Sequence, residues 1–296
     1  MQAQAYVALR DGLVGTLAAG RAILIDDTGR TASFKDNLVP TLSRSQVAIL
    51  RTQLMSGDGG ELACKGAGVR PDAHAAHSSS ALVFNAFGAW LGHEQQLTVD
   101  GVGGFTDPLR VEARQRIFRG GRAPNLDCLL VGPDVVAGVE SKLTEPLSRH
   151  QSRPWRDAYG RESCRALLDA GWRETLDSAL AGGYATAYLD VDQLLKYALG
   201  LSKQHPHRAR HLIYVYWEPT DADEIEEVRL HRAEVAELLD RVGDASPRLH
   251  ALTYDELWTE WDGLDGEPWL LGHLAALRKR YVVPLAGKSQ LRKRGA

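Results

Sequence analysis

The sequence predicts an α/β fold in which helices flank a mixed central sheet. Two short apolar segments, 126–131 and 135–142, are joined by Gly-Pro-Asp, which is the pattern of two strands and a tight turn. A third apolar segment, 211–217, follows a predicted amphipathic helix and is expected to be a buried strand. The composition is 44% hydrophobic and 25% charged, which is typical of a globular protein. A chain of 296 residues forms one large domain or two.

Residues 1–77 are predicted to form a helical accessory region. Apolar residues recur at loosely helical spacing over 6–17 and 45–55. The proline-containing segment 37–40 separates these two helices, and a glycine-rich loop follows at 57–60.

The next predicted helix runs from Ser80, which is suited to cap it, to Trp90, with Gly92 as its terminator. Nearly all of its side chains are apolar, so we expect it to be buried against the sheet. Asn85 on this helix is either a core polar group with satisfied hydrogen bonds or a site residue. We favour the core polar group.

The predicted strand over 109–118 is rich in arginine. Arg114 and Arg116 are expected to share one face, and five arginines occur within residues 110–122. Such charge is common on a solvated edge strand. It also suits a rim that contacts phosphates, and we favour this interpretation because the arginines immediately precede Asp127.

Three charged residues interrupt the strands of the predicted hairpin: Asp127, Glu140 and Lys142. A charge in a buried strand is costly unless it is paired or binds a metal. Alternation puts Glu140 and Lys142 on one face, and a turn centred on Pro133 and Asp134 puts Asp127 opposite Glu140 there. Two carboxylates suit Mg²⁺ with a substrate phosphate. An adjacent ammonium can orient or deprotonate the attacking water, or offset charge in a phosphoryl transition state.

At these residues the chain resembles the PD-(D/E)xK nuclease superfamily. The segment PNLD at 124–127 is similar to the PD element, with the proline displaced, and ESK at 140–142 matches the E-x-K element. Twelve residues separate the two carboxylates. Downstream, QLLKY at 193–197 is similar to the Q-x-x-x-Y helix of the RecB-like exonuclease branch. Together these elements cover roughly residues 78–218.

The resemblance implies a restriction-endonuclease-like core over 78–262 and a Mg²⁺ or Mn²⁺ cofactor. Asp127, Glu140 and the backbone carbonyl of Ser141 would hold the metal. Lys142 would position the attacking water. The implied supporting residues on the helix are Gln193 and Tyr197.

The chain also resembles a bacterial family of proposed restriction endonucleases. The segments that carry this similarity are GDGGEL at 57–62 and SSSALVFNAF at 78–87. Glu61 in the first segment is either a solvated surface carboxylate or a further acidic ligand. The resemblance implies the second role, because the superfamily often adds a carboxylate from its first core helix.

Residues 147–183 are predicted to be a helical insertion in the core. They mix arginines with aromatic residues, including Arg153, Trp155 and Arg156. This mixture suits a flap that grips a nucleic-acid strand, in which arginines meet phosphates and rings stack on bases. It also fits a helical pair that packs on the core, and one segment can do both.

The C-terminal part is predicted to contain a charged amphipathic helix over 223–242, then a strand over 249–254 that leads into 255–261. Residues 263–296 form a C-terminal extension. Its basic segments, 278–280 and 288–294, are expected to fray or to touch nucleic acid.

The predicted function is Mg²⁺-dependent hydrolysis of phosphodiester bonds in DNA, in restriction, defence or repair. RNA remains an alternative substrate, and a homodimer remains an option. The net charge of −3 does not exclude nucleic acid, because a local basic groove suffices. Two other classes stay open: a nuclease-fold binding module without activity, and an unrelated small-molecule hydrolase.

The cellular setting is predicted from what the sequence lacks. It contains three scattered cysteines without metal-ligand spacing, and we expect a reduced, cytoplasmic environment. Neither a signal peptide nor a membrane-spanning apolar run is recognisable, so no membrane partner is expected.

Overall fold

The computed structural model describes residues 2–56, 60–64, 66, 68–120, 123–150, 154–264 and 268–285. Its strands are β1 (Arg110–Arg114), β2 (Asn125–Val131), β3 (Val135–Lys142), β4 (Ala209–Tyr216) and β5 (Arg248–Thr253). Its α-helices are α1 (Gln2–Ala18), α2 (Arg44–Ser56), α3 (Ser79–Phe87), α4 (Glu162–Arg165), α5 (Ala170–Leu180), α6 (Val191–Gln204), α7 (Glu226–Val242), α8 (Tyr254–Asp262) and α9 (Pro268–Tyr281). Short 3₁₀ helices lie at Phe34–Asn37, Asp72–His74, Gly88–Trp90, Glu94–Gln96, Glu145–Leu147, Asp157–Gly160 and Ala222–Glu224.

The five strands form one mixed sheet in the order β1-β2-β3-β4-β5. Strands β1, β2 and β3 pair antiparallel, whereas β4 and β5 join in parallel. The core therefore runs from helix α3 through three meandering strands to helix α6 and strand β4. This is the arrangement that the resemblance implies, and the predicted α/β class with a mixed central sheet is confirmed.

The hairpin of β2 and β3 has the predicted register. Cys128 pairs with Val139, and the backbone nitrogen of Gly132 donates to the carbonyl oxygen of Val135 at 2.9 Å. The paired positions end at Cys128 and Val139, and Asp127 and Glu140 are the next residues along the two strands. The tight turn thus fixes which side chains meet at the other end of the hairpin.

The sheet is buried on both faces by two separate hydrophobic clusters. One cluster includes residues of α1, α3, α8 and α9, and the other includes residues of α5, α6 and α7. From Cys128 to Val131 the side chains of β2 alternate between them, since Leu130 packs in the first cluster and Leu129 in the second. Packing on both faces explains the nearly continuous apolar runs in β2 and β3.

The strand predicted over 109–118 is shorter than expected, because β1 ends at Arg114. Glu112 within it has a φ of 52°, which interrupts regular alternation. Beyond Arg114 the chain leaves the strand and packs closely against α6. Gln115 lies so near Gly200 of this helix that a Cβ atom added to the glycine would be 2.5 Å from the Cβ of Gln115. Arg116 lies outside the strand, so the prediction that it shares a strand face with Arg114 is wrong.

Helix α3 begins earlier than predicted, and Ser80 is not its cap. Ser78 has an extended backbone, and its side chain accepts a hydrogen bond from the backbone nitrogen of Ala81. A 3₁₀ turn continues the helix to Trp90, as expected. Asn85 is fully buried; its Nδ2 donates to the Tyr281 hydroxyl at 2.7 Å, which confirms it as a satisfied core polar group.

The expectation that residues 278–280 fray is wrong, because these basic residues belong to helix α9. Their contact with nucleic acid stays a prediction. Arg278 pairs with Asp262 at 2.5 Å, and Arg280 is buried with only 4% of its surface exposed. The second basic segment, 288–294, lies outside the described residues. In the described part of the chain, no helix is long and apolar enough to cross a membrane.

Candidate active site

A cleft of about 570 Å³ opens where β2 and β3 meet helix α6. It is bordered by the loop before α3, by the insertion after β3 and by the start of β2. The charged and polar residues that line it are Glu61, Ser79, Ser80, Glu112, Asn125, Asp127, Glu140, Ser141, Lys142, Arg156, Gln193 and Lys196, with Trp155, Tyr159 and Tyr197 among the aromatic residues. All three charged residues of the predicted triad are in this set.

Asp127, Glu140 and Lys142 meet at the floor of the cleft. The ammonium of Lys142 lies 2.5 Å from Oε1 of Glu140. The backbone nitrogen of Ser141 donates to Oδ2 of Asp127 at 2.7 Å. Glu140 is only 2% exposed, and its Oε2 is buried without a hydrogen-bond partner in the described part of the chain.

The protonation of the triad is governed by burial and by neighbouring charges. Burial raises the pKa of Asp127 well above its usual value, and the charges of Glu140 and Glu112 raise it further. Burial also raises the pKa of Glu140, although the ammonium of Lys142 opposes this. For Lys142, burial alone would lower the pKa, but Glu140, Glu145 and Asp127 together raise it above the usual value. The lysine therefore stays a cation.

Gln193 and Tyr197 connect helix α6 to the triad. Asp190 caps the helix, since its side chain accepts from the backbone nitrogen of Gln193. Oε1 of Gln193 accepts from Lys142 Nζ at 2.9 Å, and its Nε2 donates to the Tyr197 hydroxyl at 2.6 Å. That hydroxyl donates to the carbonyl oxygen of Asn125 at 2.6 Å. The two residues thus hold Lys142 from the helix side.

Ser141 and Glu61 reach the cleft from different elements. The Ser141 side chain lies on the opposite face of β3, where its hydroxyl is 2.7 Å from that of Tyr254. Its backbone remains beside Asp127. Glu61 is half-buried and lines the cleft from a turn that precedes α3, so its carboxylate does not come from the first core helix.

The residues predicted to bind nucleic acid fall into two groups. Trp155 is half-buried and Arg156 is exposed, and both line the cleft. Arg114 and Arg116 do not line it, and Arg153 lies outside the described residues. Insertion residues also pack on the core, because Trp172 is fully buried and donates to the carbonyl oxygen of Pro247 at 2.6 Å.

Sequence reasoning missed two charged residues of the cleft, Glu112 and Lys196. Lys196 lies one residue before Tyr197, and its ammonium is 4.7 Å from the ring centre of Trp155. Helical spacing from Gln193 could have indicated it, since residues three apart share a face. Glu112 was hidden among the arginines of β1, and the connection to β2 gave no register from which to place it.

The carboxylates of the cleft suit a hard divalent cation. Mg²⁺ is commonly held by one or two carboxylates plus substrate phosphates, and Asp127 and Glu140 supply these. The unpartnered buried Oε2 of Glu140 is the kind of oxygen that such an ion satisfies. Among the described residues, no group of three or more His, Cys, Asp or Glu side chains is placed so that it could hold a metal ion by itself. The site thus fits an ion that is completed by substrate or solvent oxygens.

Comparison with known proteins identifies one family. The model of the REase-ARP family, described as restriction endonuclease associating with ARP, matches residues 55–282. The match covers most of the chain and includes every residue that lines the cleft. No curated protein matches the chain, and no solved structure does.

Proposed function

The chain belongs to the REase-ARP family of restriction endonucleases, and we propose that it is a metal-dependent deoxyribonuclease of the PD-(D/E)xK type. One observation carries the proposal. A buried carboxylate oxygen without a partner, Oε2 of Glu140, lies in a cleft with Asp127 and Lys142. Burying such an oxygen costs free energy unless a ligand satisfies it.

Asp127 and Glu140 would hold the divalent cation, with the backbone carbonyl of Ser141 as the further ligand that the resemblance implies. When bound, Mg²⁺ or Mn²⁺ supplies a Lewis acid for a phosphate oxygen and lowers the pKa of water. The protein contributes two carboxylates with little freedom to move. Asp127 is fixed by the backbone of Ser141, and Glu140 by Lys142.

Lys142 acts as a cation and not as a base, because its raised pKa keeps the ammonium protonated at neutral pH. The ammonium lies beside the carboxylates, where negative charge develops as a phosphodiester is attacked. It can orient the attacking water and offset that charge. Gln193 positions the ammonium through the 2.9 Å hydrogen bond, and Tyr197 positions Gln193.

Hydrolysis of a phosphodiester joins the oxygen of water to phosphorus while one ester P–O bond breaks. The departing oxygen takes a proton, and the net reaction consumes one water. The wall of the cleft suits a polymeric substrate, since Arg156 and Lys196 can meet phosphates and Trp155 can stack on a base. DNA is the substrate we propose, in keeping with the family.

Nicking of supercoiled plasmid DNA tests the proposal. We expect the wild-type protein to cut in Mg²⁺ or Mn²⁺ and to be silent in EDTA. Glu140→Ala should abolish cutting, because it removes the oxygen proposed to bind the ion. Glu226→Ala is the matched control, since Glu226 is an exposed residue of α7 outside the cleft, and it should cut like the wild type.

Three results would reject the proposal. Cutting that survives in Glu140→Ala would assign the activity to a contaminant or to another site. Metal-independent DNA binding by the wild type without cutting would instead identify a nuclease-fold binding module. Hydrolysis of a soluble phosphodiester but not of DNA would favour the small-molecule hydrolase.

A further inference from the structure

A second pocket adjoins the catalytic cleft on the side of β4. Its volume is about 680 Å³, and it shares Lys142, Gln193 and Lys196 with the cleft. We propose that this pocket receives one unpaired nucleotide of the substrate strand, next to the phosphate that is cut. The inference rests on the proposed function, since the triad defines where the scissile phosphate lies.

The shared residues make the two spaces continuous. The cleft extends from the triad to the start of β2, whereas the second pocket extends to β4, where Tyr214 lines it. Strands β2 and β4 lie on opposite sides of β3, so Lys142 at the end of β3 marks the boundary. A strand whose phosphate lies at the triad continues in both directions, and the pocket lies in one of them.

Arg149 and Tyr188 form a wall of the pocket that suits a nucleotide. The guanidinium carbon of Arg149 lies 5.9 Å from the centre of the Tyr188 ring. Bases stack on tyrosine rings and on guanidinium planes, and a guanidinium also attracts phosphate. Arg149 is exposed and forms no ion pair in the described part of the chain. Its charge is therefore available to a ligand.

The acidic residues that line the pocket are already engaged. Glu145 accepts hydrogen bonds from two backbone nitrogens of the turn after β3, each at 3.0 Å. Asp190 caps α6 with its side chain, and Asp192 also has an interaction of its own. An anionic strand that enters the pocket thus meets carboxylates that share their charge with other groups, and it meets Arg149 and Lys196 as cations.

The wall that carries Tyr188 is fixed before any ligand binds. Glu234 of α7 accepts from the backbone nitrogen of Tyr188 at 2.8 Å and from those of its two neighbours at 2.6 and 2.9 Å. The segment after β3 is joined to this wall, because the backbone nitrogen of His150 donates to the carbonyl oxygen of Ala187 at 2.5 Å. A preformed wall lowers the entropic cost of binding.

The dimensions of the pocket select an unpaired nucleotide. Its volume is within the range of about 300–1,000 Å³ that is typical of small-ligand pockets, and a length of duplex does not fit in it. A base that enters must leave its complementary strand, which costs unstacking and unpairing free energy in a duplex. The unpairing cost is absent in a single strand, so we expect single-stranded DNA to be preferred.

Anisotropy of fluorescent oligodeoxynucleotides in Ca²⁺ tests the inference without catalysis. The wild type should bind a single strand more tightly than the duplex of the same sequence. Arg149→Ala should weaken single-strand binding by about fivefold or more and reduce its salt slope by about one. The duplex affinity of this variant should change much less, because paired nucleotides do not enter the pocket.

Arg229→Ala is the matched control. Arg229 of α7 is also exposed and forms no ion pair among the described residues. It lies outside both the cleft and the pocket, so this variant should bind both substrates like the wild type.

Replacement of Tyr188 tests whether its ring contacts the base. Tyr188→Leu should weaken single-strand binding by about fivefold or more, whereas Tyr188→Phe keeps the ring and should bind like the wild type. Tyr188 is buried, so the leucine variant risks misfolding, but Arg149→Ala changes an exposed side chain and keeps the test decisive.

Photo-crosslinking locates the base directly. A single strand that carries 5-iododeoxyuridine should cross-link to the peptide that contains Tyr188. Cross-links confined to Trp155 would place the base in the cleft and overturn the assignment of the pocket.

The outcomes separate this inference from the proposed function. If Arg149→Ala loses affinity equally for single strand and duplex, Arg149 is a general phosphate contact and the inference is overturned. If the wild type nicks plasmid DNA while the Arg149 and Tyr188 variants bind single strands as it does, the inference falls and the nuclease stands. If the wild type binds single strands through both residues but cuts nothing, the nuclease is rejected and the pocket stands as a strand-binding site.

Discussion

Two cations that are largely withdrawn from solvent, Lys142 and Arg280, show how differently a protein can accommodate a charge. Lys142 lies in a cleft beside carboxylates, and its ammonium contacts Glu140 at 2.5 Å. Arg280 lies in the core, and among the described residues its guanidinium has no carboxylate partner. Its hydrogen bonds run to neutral oxygens, at 2.7 Å to the carbonyl of Leu13 and 2.9 Å to that of Ala76.

The neighbours of each cation reveal its role. The guanidinium of Arg280 also reaches Oδ1 of Asn37 at 3.3 Å, so it connects α1, a 3₁₀ helix and the loop before α3 to helix α9. Burial lowers the pKa of Arg280, as expected for a charge without an acidic partner. The acidic neighbours of Lys142 raise its pKa instead. A buried charge can therefore have a structural role or a catalytic role. The two roles are distinguished by whether the charge lies in a cleft with unsatisfied oxygens.

The largest expected effect is on turnover, at Lys142. Lys142→Ala should reduce kcat on DNA on the order of a hundredfold or more, because a transition-state electrostatic partner is lost. The fold should survive. Without the opposing ammonium, burial raises the pKa of Glu140 further, so that its side chain becomes a neutral acid. Plasmid cleavage and thermal melting measure the two quantities, with the exposed Lys35→Ala as control.

DNA binding in Ca²⁺ separates catalysis from affinity at this residue. Cleavage is then suppressed, and Lys142→Ala should bind DNA nearly as well as the wild type. A variant that loses affinity but keeps its kcat would reverse the assignment and make Lys142 a binding residue.

At Arg280 we expect the opposite result, which is a loss of stability without a loss of turnover. Arg280→Met keeps much of the apolar volume but leaves the carbonyl oxygens of Leu13 and Ala76 unsatisfied. Unfolding in denaturant should show a loss of about 2–3 kcal/mol. The kcat of the protein that remains folded should not change.

Arg278→Met on the same helix is the control for charge. Arg278 pairs with Asp262 at the surface, and such pairs contribute about 1 kcal/mol or less. If both variants lose equal stability, the connecting role of Arg280 is wrong.

The sequence predicts the site around Lys142 much better than it predicts Arg280. The hairpin of β2 and β3 is local, and its turn sets the register that places Asp127 and Glu140 next to the paired residues Cys128 and Val139. Helical spacing likewise orders Gln193 and Tyr197. These relations extend over a few residues, where strand and helix periodicities hold.

Contacts between distant segments could not be predicted in this way. Arg280 and Leu13 are 267 residues apart, and the basic run at 278–280 looks like a solvated terminus. Glu112 was missed for a different reason. Alternation assumes a regular strand, and one left-handed residue changes the faces of all that follow. Both misses concern the tertiary structure, which overrides a local pattern.

A smaller effect is expected from the protonation of Asp127. It tests whether charge repulsion in the cleft destabilises the folded protein. The pKa of Asp127 in the folded protein is raised above 3.8, the value expected when the chain is unfolded. The folded state therefore binds more protons than the unfolded state between these two values, and stability falls as the pH rises through that window. Without metal, Asp127→Asn should melt a few degrees higher than the wild type at neutral pH.

The control and the metal dependence sharpen this test. Asparagine can still accept from the backbone of Ser141, so the gain reflects charge alone. Asp107→Asn changes an exposed carboxylate and should leave the pH profile unaltered. Mg²⁺ should raise the melting temperature of the wild type less as the pH falls, because the ion must displace the proton. Parallel melting profiles for the wild type and Asp127→Asn would contradict the assigned shift.

The smallest expected effect is at Tyr197, which supports Lys142 through Gln193. Tyr197→Phe keeps the buried ring but removes the hydroxyl that bonds Gln193 and the carbonyl oxygen of Asn125, each at 2.6 Å. The loss should cost about 1 kcal/mol in stability and reduce kcat by roughly tenfold or less. If Tyr197 is purely structural, Tyr197→Phe should reduce kcat by the same factor in a Lys142→Ala background. If Tyr197 acts by positioning the ammonium, the change should have no further effect on kcat there. Tyr6→Phe on α1 is the control, and additive losses in the double variant would contradict the positioning role.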